Sequence, residues 1–146
     1  MRPLMRTCGE VKPMFKFVHH VRFLAHDRDA MVDYLEKNFG MKPDRLQVYE
    51  TRGMSNAIYK VGPTSFEITE PLDPDSAMGR HLAQQGPGVY HLAWGVDNVP
   101  FVAQELAAKG NKLTGEGGVS RSADGYLTAS IHPESSLGLP FQLAEG

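Results

Sequence analysis

The chain has 146 residues and a formal net charge of −2, with a pI near 6.3, so its electrostatics make no case for nucleic acid or an anionic membrane as partner. That length allows one compact domain, or two half-sized modules sharing a core. The single cysteine, Cys8, excludes an internal disulfide framework and suits a reducing compartment, and no run approaches the length of a transmembrane span.

Residues 1–15 read as a flexible N-terminal arm without the apolar core of a signal peptide, so a cytoplasmic protein is expected. A first module covers residues 16–72. It opens on an apolar strand, 17–24, that carries His19 and His20. Asp27 then begins a turn and a helix in which Met31, Tyr34, Leu35 and Phe39 recur at helical spacing, with Gly40 placed to cap its end. Three short strands follow, 46–51, 56–61 and 65–69, parted by the turn signals Arg52-Gly53 and Gly62-Pro63. Residues 73–88 form a linker around a short helix, 76–84. The second module, 89–146, repeats the plan. A strand carries His91, and a helix follows with Val99, Val102, Leu106 and Ala107 on one face and Pro100 in its first turn. Gly110 closes that helix, and the strands 112–114, 119–122, 126–131 and 140–143 come after, the first two separated by a Gly115-Glu116-Gly117-Gly118 loop.

Two stretches tie the halves together. Phe66-Glu67-Ile68-Thr69-Glu70 is answered by Phe141-Gln142-Leu143-Ala144-Glu145, and each follows its histidine strand at nearly the same interval. An internal repeat sets the architecture. Here it predicts a duplicated module, each copy offering one imidazole and one oxygen donor to a four-ligand site between the copies. Strand alternation puts His20, Arg22 and Leu24 on the inner face, and leaves His19, Val21 and Phe23 under the helices. His19 is the odd member of that apolar set. Glu67 and Gln142 fall opposite the apolar pairs Phe66/Ile68 and Phe141/Leu143.

Four segments carry a family likeness: Val18-His19-His20-Val21, Glu67-Ile68-Thr69-Glu70-Pro71-Leu72, Gly88-Val89-Tyr90-His91-Leu92-Ala93-Trp94-Gly95-Val96-Asp97 and Ile131-His132-Pro133-Glu134-Ser135-Ser136-Leu137-Gly138. Over residues 16–145 the chain resembles the vicinal oxygen chelate superfamily of glyoxalases, extradiol dioxygenases and bleomycin-binding proteins, and within it the methylmalonyl-CoA epimerases. The resemblance implies an α+β fold of paired βαβββ modules whose curved, partly closed sheet surrounds a metal, in a homodimer. It puts His20, Glu67, His91 and Gln142 at the metal positions. Two imidazoles, a carboxylate and an amide oxygen suit Co, Ni, Mn, Fe or Zn.

The departures matter as well. Epimerases of this kind carry glutamates where this chain has Gln142 and Asn56, and an amide is no general base. Glu67 is then the candidate base, as well as a ligand. Arg22, the inward neighbour of His20, is a candidate for binding a substrate carboxylate or phosphate, with Asn56 as a second substrate-binding position. His26, His81, His132 and the acidic turn at Asp73 read as surface or turn residues. The expected activity is that of a metal-dependent isomerase or lyase acting through an enolate on a small-molecule substrate, an acyl-CoA or related thioester. The alternatives are a glyoxalase-type or dioxygenase-type enzyme, and a non-catalytic drug-sequestering binder.

Overall fold

The computed structural model describes residues 13–114 and 118–146. Most of the N-terminal arm, Cys8 included, and the loop residues 115–117 lie outside the described residues. The first half runs β1 (Phe17–Leu24), α1 (Arg28–Phe39), β2 (Arg45–Tyr49), a 3-10 turn (Glu50–Arg52), β3 (Met54–Val61) and β4 (Thr64–Pro71). A short helix α2 (Ala77–Gln85) leads to the second half, β5 (Gly88–Val96), α3 (Val99–Ala108), β6 (Ser120–Arg121), β7 (Leu127–Ser130) and β8 (Phe141–Glu145). None of these helices is long and apolar enough to cross a membrane.

Local chemistry starts each helix. The Asp27 carboxylate accepts from the Ala30 N–H, the Ser76 hydroxyl from Gly79, and the Asn98 amide oxygen from Phe101, each satisfying a donor that the first helical turn leaves unpaired. Gly40 ends α1 at φ 66°, where a side chain would be strained. The three helices accompany one eight-stranded sheet of order β2-β3-β4-β1-β5-β8-β7-β6, an α+β arrangement of two βαβββ halves curled into a half-barrel.

The sheet order is a palindrome about the antiparallel β1–β5 seam, and the register repeats with it. In β1 and β4 Arg22 stands opposite Glu67; in β5 and β8 Ala93 stands opposite Gln142. Each oxygen-donor residue thus faces the position two beyond its half's histidine. Two apolar cores fill the helix side. Ala25, Leu35, Ala57, Tyr59 and Ile68 pack in one half, and Val96, Val99, Val102, Ala103, Ala129 and Leu143 in the other. Phe23, Phe66 and Trp94 border these cores as alternation predicts.

His19 corrects the alternation. Val18 pairs with Trp94 and His20 with Ala93, so His19 is an extra residue, a bulge in β1. A bulge re-aims the side chains beside it. His19 therefore sits beside His20 and Tyr126, not under a helix, its ring centroid 5.0 and 4.8 Å from theirs. A second shift, between Arg22 and Phe23, makes Tyr90 the extra residue of β5 just before His91.

Candidate metal centre and active-site cavity

The β1–β5 seam brings two imidazoles nose to nose. His20 Nε2 lies 3.0 Å from His91 Nε2, and His20 Nδ1 lies 2.8 Å from His19 Nδ1. His20 is 1 % exposed. Burial holds its pKa down to about 2, helped by the neighbouring charges of His91, Arg22 and His19, while the Gln142 side chain opposes the shift. Burial, then Arg22, lowers His91 to about 3. Both rings are neutral at pH 7, the form that binds metals.

A neutral imidazole has one N–H. When His20 donates from Nδ1 to His19, its Nε2 lone pair points at His91. The 3.0 Å separation equals the edge between two neighbouring ligands of an octahedral ion with bonds of ~2.1 Å. Gln142 lines the same cavity; its amide nitrogen donates to the Ser130 hydroxyl at 3.3 Å, and its side chain also hydrogen-bonds His20. These three residues fit a borderline divalent metal.

Glu67 stands at their edge. It is 6 % exposed, its Oε1 accepts from Arg22 Nη2 at 3.1 Å, and its Oε2 lies 3.9 Å from His20 Nδ1, the nitrogen away from His91. Among the described residues no three His, Cys, Asp or Glu side chains form a metal-holding group. The structure thus brings His20, His91 and Gln142 together, while Arg22 holds Glu67 beside them. Asn56 is elsewhere: it is 2 % exposed, accepts from the Thr69 hydroxyl at 2.8 Å, and lines none of the three cavities near the site.

The cavity at the pair has a volume of about 210 Å³ and is walled by Arg22, Arg52, Arg121 and Tyr126 as well. It shares His91 and Ser130 with a larger cavity of about 730 Å³ between α2, β5 and the turn before β8. A third, of about 430 Å³, holds Glu67 and shares Tyr126 with the first. Burial and the charge of Glu67 push the Tyr126 phenol up to about 12, so it stays protonated. The two outer edges of the sheet meet over the site, where Asp124 accepts from Arg45 at 2.9 Å and from the Tyr49 hydroxyl, and Arg52 donates to the Arg121 carbonyl. Sequence reasoning gave His19 and Tyr126 no part in the site, and placed Arg52 and Arg121 only in a turn and a strand. Only His19 left a sign, as the polar residue on a face that should be apolar.

The family model for the Glyoxalase/Bleomycin resistance protein/Dioxygenase superfamily matches residues 19–129. The chain belongs to this superfamily. A curated superfamily relative, methylmalonyl-CoA epimerase, mitochondrial, from Homo sapiens, is 23% identical over 145 residues, covering 99% of this chain and 81% of that protein. A 4-hydroxyphenylpyruvate dioxygenase from Danio rerio is 27% identical over 129 residues, which cover 84% of this chain; the chain spans 32% of the dioxygenase's length. Among solved structures, a variant of Streptomyces coelicolor methylmalonyl-CoA epimerase in complex with 2-nitronate-propionyl-CoA superposes with a TM-score of 0.82 at 27% identity, covering 90% of this chain and 98% of that one. The superfamily member described here is therefore a close structural match to the epimerases.

Proposed function

We propose that this protein is a metal-dependent isomerase or lyase that moves the proton α to the carbonyl of an acyl-CoA or related thioester. The observation that carries this reading is the buried, neutral His20–His91 pair, 3.0 Å apart at the seam of the two halves and open to two adjoining cavities. His20, His91 and Gln142 would hold the ion, with Glu67 beside them as a candidate fourth donor. When bound, such an ion would supply Lewis-acid stabilisation of negative charge developing on the thioester oxygen, worth several kcal/mol. Gln142 is steadied by Ser130, and His20 by His19. Glu67 is the carboxylate beside the pair and takes the α-proton. The 730 Å³ cavity, reached past His91, receives the remainder of the thioester.

One carboxylate beside the histidines favours proton transfer on one face of the enolate, as in a glyoxalase-type reaction, over two-base epimerisation. Incubating Co²⁺-loaded protein in D₂O with methylmalonyl-CoA and other acyl-CoA thioesters, followed by NMR, tests this. Metal-dependent loss of the α-proton signal is expected, with loss faster than inversion of configuration. Absence of exchange with every thioester would overturn the proposal.

A further inference from the structure

The two ends of the sheet are joined without a backbone ladder. β2 and β6 are those ends, and among the described residues no backbone hydrogen bond links them. Side chains do so instead. Both oxygens of the Asp124 carboxylate are used across the gap, Oδ2 accepting from Arg45 and Oδ1 from the Tyr49 hydroxyl, while Arg52 donates to the Arg121 carbonyl. A barrel built to stay shut pairs its edge strands. Here the closing ion pair is solvated, with the Arg45 and Asp124 side chains 46 % and 34 % exposed, and exposed pairs add little to stability.

One side of this clasp is also lightly held. β6 is two residues long and makes two register pairs with β7. The turn from Ser122 to Gly125, which carries Asp124, is closed by its own backbone bonds, from Ser122 N–H to Tyr126 and from Gly125 N–H to Ser122. A self-contained turn on a short edge strand belongs to the low-stability end of a fold and can swing as a unit.

Beneath the clasp lies the histidine pair. Of the three cavities near the site, His20 lines the 210 Å³ one alone, and Arg52, Arg121, Ser122 and Ala123 wall that cavity on the clasp side. Arg45 and Asp124 line the 430 Å³ cavity, and Tyr126 is common to both. The clasp is thus the partition between them. At 210 Å³ the inner cavity is smaller than the roughly 300–1,000 Å³ of small-molecule sites; joined to its neighbour it falls within that range.

We propose that the Asp124 clasp is a gate: release of Arg45 and Tyr49 lets the 122–125 turn swing outward, joins the two cavities and admits small solutes to the histidine pair. The gate involves neither an ion nor an acyl-CoA, so it stands or falls apart from the activity proposed above.

Met54, 4 % exposed on the wall of the 210 Å³ cavity, reports on it. Oxidation of Met54 by hydrogen peroxide in chelator-treated protein, followed by peptide mass spectrometry, measures access without metal or turnover, and Met78 on α2 serves as control. Asp124→Ala should speed Met54 oxidation about fivefold or more and leave Met78 unchanged, as expected when local opening limits access. In the opposite direction, Arg45→Cys/Asp124→Cys in a Cys8→Ser background is joined across the gap by a short bis-maleimide. The linked form should oxidise Met54 about fivefold more slowly than the unlinked form of the same chain. Because those two forms share one sequence, a folding defect cannot produce the difference. Equal Met54 oxidation in wild type and Asp124→Ala, or in linked and unlinked protein, would overturn the proposal, as would equal acceleration at Met78.

Discussion

Three imidazoles in a row decide what the centre can do. His19 Nδ1 lies 2.8 Å from His20 Nδ1, and by accepting a hydrogen bond from it would turn the His20 Nε2 lone pair towards His91. Partners that orient a metal-binding histidine are worth about 10- to 100-fold in affinity. Replacing His19 by phenylalanine should weaken Co²⁺ binding by that factor in a calorimetric titration while leaving its stoichiometry at one ion. A second expectation concerns acid. His20 and His91 are held neutral in the fold, with pKa values lowered to about 2 and about 3 from their ordinary 6.5. The unfolded chain therefore takes up protons below pH 6.5 that the folded chain refuses. Stability from these groups is present above that pH and lost below it, at about 1.4 kcal/mol per pH unit for each ring. Urea titrations of metal-free protein between pH 7 and 5 should show this fall, and His20→Gln should reduce its slope. At Glu67, substitution by glutamine should lower α-proton exchange by about 10²- to 10⁴-fold, the span of a positioned general base.

At the scale of elements, the helices and most strands were legible because their signals are local. The caps at Asp27 and Gly40, the spacing of Met31, Leu35 and Phe39, and the turn at Gly62-Pro63 each act within a few residues of chain. The bulge at His19 was not legible, because alternation assumes an unbroken period of two and the extra residue appears only once β1 is paired with β5. The clasp between Arg45 and Asp124, separated by 79 residues, was hidden for another reason: only closure of the sheet brings those surface polar residues together. Buried strand positions should respond steeply. Leu143 is 0 % exposed in the core under α3, and Leu143→Ala should cost about 2–5 kcal/mol in chemical denaturation. Gly95→Ala should also destabilise, since a Cβ there would lie 2.5 Å from the Phe17 ring.

Over the whole molecule, duplication accounts for both the architecture and the place of the site. Two copies of βαβββ meet along β1 and β5, and the histidine of each copy reaches the seam. That much follows from the echo of Phe66-Glu67-Ile68 in Phe141-Gln142-Leu143. The copies have diverged beside the seam: Arg22 and Glu67 in one half stand where Ala93 and Gln142 stand in the other. The ion pair was not legible, because β1–β4 register is a property of the folded sheet. The asymmetry leaves one carboxylate at the centre. Gln142→Glu supplies a second, and should tighten divalent-metal binding and bring racemisation of methylmalonyl-CoA closer to the rate of proton exchange.

If the seam is a metal centre, His20 and His91 together hold one divalent ion. Titrating Co²⁺ into chelator-treated protein, followed by the visible absorption of the ion and by calorimetry, tests it most directly. One ion per chain is expected for wild type, with loss of stoichiometric binding in both His20→Ala and His91→Ala variants that remain folded by circular dichroism. Equal binding by wild type and His91→Ala would place the metal away from the histidine pair and rule out a centre at the seam.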